Sequence, residues 1–160
     1  MKIERYEEIF LGLSAVVLIL FLNALLYAGL AMNLRVPGVA GMIDPAKVRE
    51  TPPFDHPGLH QIAPGKYQAV IIGKAWSFTP KTIEIPVGSE VTFLATSVDI
   101  DHGFYVDGTR INLMLVPGQI SRTTYRFDKP GTHLLLCHEY CGLGHQFMYG
   151  KIVVNKTVVK

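Results

Sequence analysis

The sequence contains no Cys-x-x-Cys-His run of the kind that attaches a haem, no glycine-rich phosphate loop and no nucleophile–base motif. These absences exclude bond-making catalysis by this chain alone. Charge is scarce as well, at 18% of residues with a formal net charge of +2. From Val36 onward 12 Lys plus Arg stand against 10 Asp plus Glu, so no strong field of either sign is available to steer a charged partner, and no nucleic-acid partner is expected. Beyond residue 65 there is no long helical period, which removes folds that alternate strands with helices. Cysteine is limited to two residues and tryptophan to one.

Apolar residues are plentiful, at 49%, and the excess sits at the N-terminus. Ile9 to Met32 is a run of 24 residues without a charge. As a helix it would extend roughly 36 Å, more than the roughly 30 Å hydrocarbon core of a bilayer, so one tilted transmembrane helix is expected. A cleaved secretory signal is the competing reading, with Gly29-Leu30-Ala31 as small cleavage-site residues. The run exceeds the about 7–15 apolar residues of such signals, which favours an uncleaved anchor. Ser14, Asn23 and Tyr27 lie inside the span and are expected to face a neighbouring helix. Lys2 and Arg5 before the span are balanced by Arg35, Lys47 and Arg49 after it, so charge counting does not set the orientation.

Six of the ten prolines fall between Asn33 and Pro64. This composition reads as a linker over residues 36–65. Asp44 as N-cap and Pro45 at the first helical position allow one short helix within it, and His56 and His60 are expected to be solvated. The partition is then an anchor at 1–35, a linker at 36–65 and a β-domain at 66–160.

In that last part, short β-rich runs alternate with turn residues: Tyr67–Trp76, Thr82–Val87, Glu90–Thr96, Gly103–Val106, Ile111–Val116, Ile120–Phe127, Thr132–Cys137 and Tyr149–Val154. Eight short strands without intervening helices indicate a mainly β, Greek-key barrel or sandwich.

The chemistry is concentrated in Cys137-His138-Glu139-Tyr140-Cys141-Gly142-Leu143-Gly144-His145-Gln146-Phe147-Met148, spaced C-x3-C-x3-H-x2-M. Thiolate, imidazole and thioether form a soft donor set that points toward copper. His102 offers a second imidazole from a strand end, giving one thiolate and one imidazole for each of two metals. Taken singly, each member has a plainer reading: Cys137 and Cys141 as a disulfide or inert buried thiols, Met148 as core packing, His102 as a satisfied histidine. His133 has no motif partner, and His138 sits between the cysteines; both read as structural or solvent-facing.

A strand-borne histidine followed by this cluster on a β-domain loop, behind an N-terminal anchor, resembles subunit II of the haem-copper cytochrome c oxidases over nearly the whole chain. The run Cys137 to Met148, the strand Gly150-Lys151-Ile152-Val153-Val154 and the single N-terminal helix are most similar to the bacterial ba3-type group. Most members of the wider family have two transmembrane helices, so the second would be missing or supplied by a further small membrane subunit.

The resemblance implies a cupredoxin-like fold with a dinuclear copper centre, CuA. It implies two copper ions bridged by Cys137 and Cys141, each also bound by one of His102 and His145. Met148 and the backbone carbonyl of Glu139 would be weak axial ligands, with the Glu139 carboxylate open as a ligand to another metal. Trp76 matches the family's aromatic segment that receives electrons from cytochrome c; its plainer reading is a packed barrel aromatic. The implied role is single-electron transfer from cytochrome c to a haem-bearing subunit I, where oxygen is reduced to water with proton translocation. Haem would reside only in that partner, and the domain would lie on the periplasmic side of a bacterial inner membrane.

Two rival functions use similar residues. A membrane-anchored copper chaperone of thioredoxin-like type also carries C-x3-C with a distant histidine, but needs alternating strands and helices. A mononuclear blue-copper carrier shares the barrel and needs only one thiolate.

Overall fold

The computed structural model describes residues 4–31 and 38–156, and the chain divides into two compact units, Met1–Val36 and Pro37–Lys160. The first unit is the helix α1, Arg5–Leu30, begun by a capping box in which Glu4 and Glu7 satisfy each other's backbone amides. With a mean hydropathy of 2.7 and no buried residue, it is the one helix among the described residues long and apolar enough to cross a membrane. Inside it the Asn23 amide donates to Ile19 O at 2.8 Å. That bond lowers the cost of placing Asn23 in lipid without a partner helix.

Among its described residues the second unit has eleven strands. They are β1 (Gly38–Met42), β2 (Gly58–Ala63), β3 (Lys66–Lys74), β4 (Ser77–Thr79), β5 (Thr82–Pro86), β6 (Ser89–Ser97), β7 (His102–Val106), β8 (Asn112–Leu115), β9 (Gln119–Phe127), β10 (Gly131–Leu136) and β11 (Tyr149–Asn155). One sheet has the order β1-β9-β6-β3-β2, with β4 paired to β3, and the other has the order β5-β11-β10-β7-β8. The pairs β3–β6 and β5–β11 are parallel and the remaining ones antiparallel. The two sheets face each other in a Greek-key-like sandwich, as the spacing of short strands predicts.

Alternation along the strands builds the core between the sheets. Ala69 and Ile71 of β3, Val91, Phe93 and Ala95 of β6, Phe104 and Val106 of β7 and Leu135 of β10 all belong to one buried cluster. Phe104 is its centre of aromatic packing, edge-on to Phe78 at 5.8 Å and tilted against Phe93 at 5.9 Å.

The proline-rich stretch differs from its expected linker character. A 3-10 helix at Pro45–Glu50 does start as expected, with the Asp44 side chain accepting from Ala46 N. Around it, however, β1 pairs with β9 and β2 with β3, so both are integral edge strands. Val48 and Phe54 are fully buried and pack with Ile43, Val70 and Ile72 in a second cluster. The physical reason is β3 itself: Ala69 and Ile71 fill the inner core while Val70 and Ile72 face the other way, so the outer face of this strand needs a cover. His56 and His60 are exposed, as expected.

Candidate metal centre

The strands place the cluster residues at one end of the sandwich. His102 is the first residue of β7, and the segment 137–148 joins β10 to β11. Its two ends are tied by Cys137 N donating to Met148 O at 3.2 Å. Within the loop, His145 N donates to Gly142 O and Met148 N to His145 O, both at 3.0 Å, closing a short 3-10 turn that carries His145. Gly142 makes the reversal possible, because its φ of +105° lies in a region that side-chain-bearing residues rarely adopt.

The two thiols come together without bonding: Cys137 Sγ lies 3.8 Å from Cys141 Sγ, against about 2.05 Å for a disulfide. Both are free and buried. The disulfide alternative is therefore not the arrangement found. Around them, Cys137 Sγ is 3.2 Å from the Glu139 carbonyl oxygen, Cys141 Sγ is 3.4 Å from His145 Nδ1, and Cys141 Sγ is 3.7 Å from Met148 Sδ. Among the described residues, His102, Cys137 and Cys141 form the one group of three such side chains whose ligand atoms all lie within 4.8 Å of one another. His145 lies outside that mutual group and joins it through Cys141. The Glu139 side chain is exposed, and the structure brings its carbonyl, not its carboxylate, to the sulfur.

His102 is wholly buried, and its Nε2 lies 2.9 Å from Asp99 Oδ1. Its Nδ1 is the one buried side-chain N or O atom among the described residues with no hydrogen-bond partner. An orphaned buried nitrogen costs about 1–3 kcal/mol of desolvation unless something fills its lone pair. A soft cation would do so here, in reach of two sulfurs. Burial first, then the adjacent Cys137 thiol and the Asp99 charge, push the Cys141 thiol up to about 11, so a cation is needed to hold it as thiolate at neutral pH. Burial acts to raise the Asp99 carboxyl, but hydrogen bonds led by the Ala75 amide outweigh it and leave that group below its usual range. The residues present thus fit a soft metal by donor type, burial and one unfilled lone pair.

Trp76 lies against this loop. Its Nε1 donates to Cys141 O at 3.0 Å, and its ring covers Gly144, where an added Cβ would sit 2.3–2.7 Å from ring atoms. The residue is nevertheless 45% exposed. Tyr140, Leu143 and Phe147 of the same loop are also exposed. Of the rival histidines, His133 Nδ1 bonds Asp107 O and His138 Nε2 bonds Asn112 Oδ1. Neither joins the sulfur group. Composition and spacing alone did not single out Asp99 or Asn112; an acidic residue three positions before a ligand histidine was the available signal for Asp99.

Comparison with known proteins gives concordant results. The family profile described as "Cytochrome C oxidase subunit II, periplasmic domain" matches residues 73–157. Cytochrome c oxidase subunit 2 of Thermus thermophilus is 37% identical over 158 residues, covering 96% of this chain and 94% of that protein. A chain of a heme-copper terminal oxidase dimer solved by cryo-electron microscopy superposes with a TM-score of 0.78 at 33% identity, covering 94% of this chain and all of its own length. The periplasmic domain of subunit II of cytochrome oxidase of Bradyrhizobium japonicum, at 21% identity and a TM-score of 0.52 over 56% of this chain and 83% of its own, shares the fold.

Proposed function

The chain belongs to the cytochrome c oxidase subunit II family, in the ba3-type group that its sequence resembles, and on that footing we propose that it is the electron-accepting subunit of its oxidase. Its membership of a haem-copper oxidase complex, its link to copper and its anchoring by α1 follow from the family and the helix. The finer reading is that Cys137, Cys141, His102 and His145 would together hold two copper ions. Met148 and the Glu139 carbonyl, which lie against those sulfurs, would complete the donor set.

The single observation that carries this reading is the pair of unbonded buried thiols 3.8 Å apart beside an unpartnered His102 Nδ1. A tetrahedral mononuclear site with bonds of about 2.0–2.3 Å would gather its ligand atoms within about 3.3–3.8 Å of each other. Here the two imidazoles do not enter one mutual group, which favours one histidine for each of two metals. When bound, such a pair of coppers takes up and releases one electron shared over both ions. The chain's residues supply the rest: the two sheets fix the ligand ends, burial excludes water, and the tied loop ends limit rearrangement during transfer.

Electrons enter at the Trp76 face, from which an N–H bond leads directly to the Cys141 carbonyl. They leave for a haem in subunit I, and the domain stands on the periplasmic side. The test is copper loading of the full chain in detergent. Two coppers per chain and an electron paramagnetic resonance spectrum with hyperfine structure from two equivalent nuclei are expected. One copper per chain, with hyperfine lines from a single nucleus, would overturn the dinuclear reading in favour of a mononuclear carrier.

A further inference from the structure

Asp99, in the turn between β6 and β7, is committed to its surroundings through every hydrogen bond the structure gives its carboxylate. Oδ1 accepts from His102 Nε2 at 2.9 Å, from Ile100 N at 2.8 Å and from Ser97 Oγ at 3.1 Å. Oδ2 accepts from Ala75 N at 2.7 Å. The His102 bond joins the carboxylate to the imidazole that groups with the two thiols and whose other nitrogen is buried and unpartnered. The Ala75 bond joins it to the residue immediately before Trp76, whose ring lies on the ligand loop. One side chain therefore reaches both the imidazole and the turn bearing the exposed tryptophan.

A carboxylate accepts and does not donate, so a neutral His102 facing it must carry its proton on Nε2 and leave the Nδ1 lone pair free for a metal. Proton and lone pair cannot exchange places without breaking the 2.9 Å bond. In metal sites generally, a carboxylate that receives the second N–H of a ligand histidine fixes its tautomer and its ring orientation.

We propose that Asp99 is a positioning residue that sets the tautomer of His102 before any metal arrives and mechanically joins the ligand set to the Trp76 turn. The proposal rests on the reading of His102 as a ligand for its purpose, but its physical content is testable without copper.

The test uses the full chain in detergent, first metal-free, with the nitrogen resonances of the His102 ring read by NMR in the parent protein and in Asp99→Ala, Asp99→Asn and Ser97→Ala. The parent is expected to show a single form protonated at Nε2. Asp99→Ala is expected to lose that preference, whereas Ser97→Ala, which removes a different donor to the same carboxylate, keeps it. Asp99→Asn retains one carbonyl oxygen for His102 but lacks a second acceptor for Ala75. It is expected to keep the tautomer and to shift the emission of the lone tryptophan. In chelator competition with copper-loaded protein, Asp99→Ala is expected to retain copper about 10–100-fold less tightly.

A parent His102 protonated at Nδ1, or an Asp99→Ala protein with unchanged tautomer and copper retention, would overturn the proposal. Should Asp99→Ala fail to fold, the parent tautomer and the Asp99→Asn pair decide it. A fixed Nε2–H tautomer together with only one bound copper would instead sink the dinuclear reading and leave the positioning role standing.

Discussion

Gly144 shows how tightly single residues around the sulfur cluster are constrained. Its φ of −95° is open to any residue, so the cost of a side chain there comes only from the Trp76 ring, 2.3–2.7 Å from the position of a Cβ. Gly144→Ala must lift that ring and weaken the bond from Trp76 Nε1 to the Cys141 carbonyl. The expected outcome is a shifted tryptophan emission, a loss of about 1–3 kcal/mol in denaturant unfolding, and slower reduction of the loaded protein by its donor with copper content unchanged. Unaltered emission would mean that the loop moves instead of the ring. The sulfur, imidazole and thioether residues were legible in the sequence because C-x3-C-x3-H-x2-M lies within one loop, where chain spacing limits distance. His102 was legible only as a strand-end histidine. The Asp99 and Trp76 contacts join residues 3 and 65 positions from their partners. For Trp76, no local pattern states which carbonyl its N–H finds.

Among the elements, the proline-rich stretch departs furthest from its expected character, and its chemistry explains why. Prolines and glycines interrupt any period in 38–63, and β1 and β2 are edge strands of five and six residues, where such interruptions are tolerated. The eight strands expected after residue 65 stand within two residues of their places, and the short strand β4 at Ser77–Thr79, beyond the end of the first expected run, is an addition to them. The overlooked signal was Ala69-Val70-Ile71-Ile72, an unbroken apolar run that buries both faces and so requires a layer on each. Phe54 supplies much of that layer, fully buried against the cluster containing Val70 and Ile72. Phe54→Ala is therefore expected to cost about 3–5 kcal/mol, read as a lower urea midpoint for the β-unit. A change at the exposed His60 should stay within about 0.5 kcal/mol. Equal and small effects from both would return the segment to the status of a tether.

For the molecule as a whole, near-balance of charge bears on the proposed docking of a redox partner. The chain from Val36 carries 12 cationic and 10 anionic residues, and the ligand loop exposes the apolar groups Tyr140, Leu143 and Phe147 beside Trp76, with Glu139 as its one exposed formal charge. A partner steered by long-range charge would associate at a rate that falls steeply with salt, whereas burial of apolar area is little affected by ionic strength. Raising the salt from about 0.01 to 0.1 M shortens the screening length from about 30 to 10 Å. Over that range the rate of reduction by a cytochrome c donor, followed by stopped-flow absorbance of the copper centre, is expected to change by no more than about threefold. Replacing Trp76 by Ala should lower the rate far more than tenfold dilution of salt raises it, since the substitution removes both the apolar contact and the N–H bond to the Cys141 carbonyl. A tenfold or steeper decline with salt would place the docking energy in charges instead of the aromatic rim, and would separate the site of docking from the site of electron input.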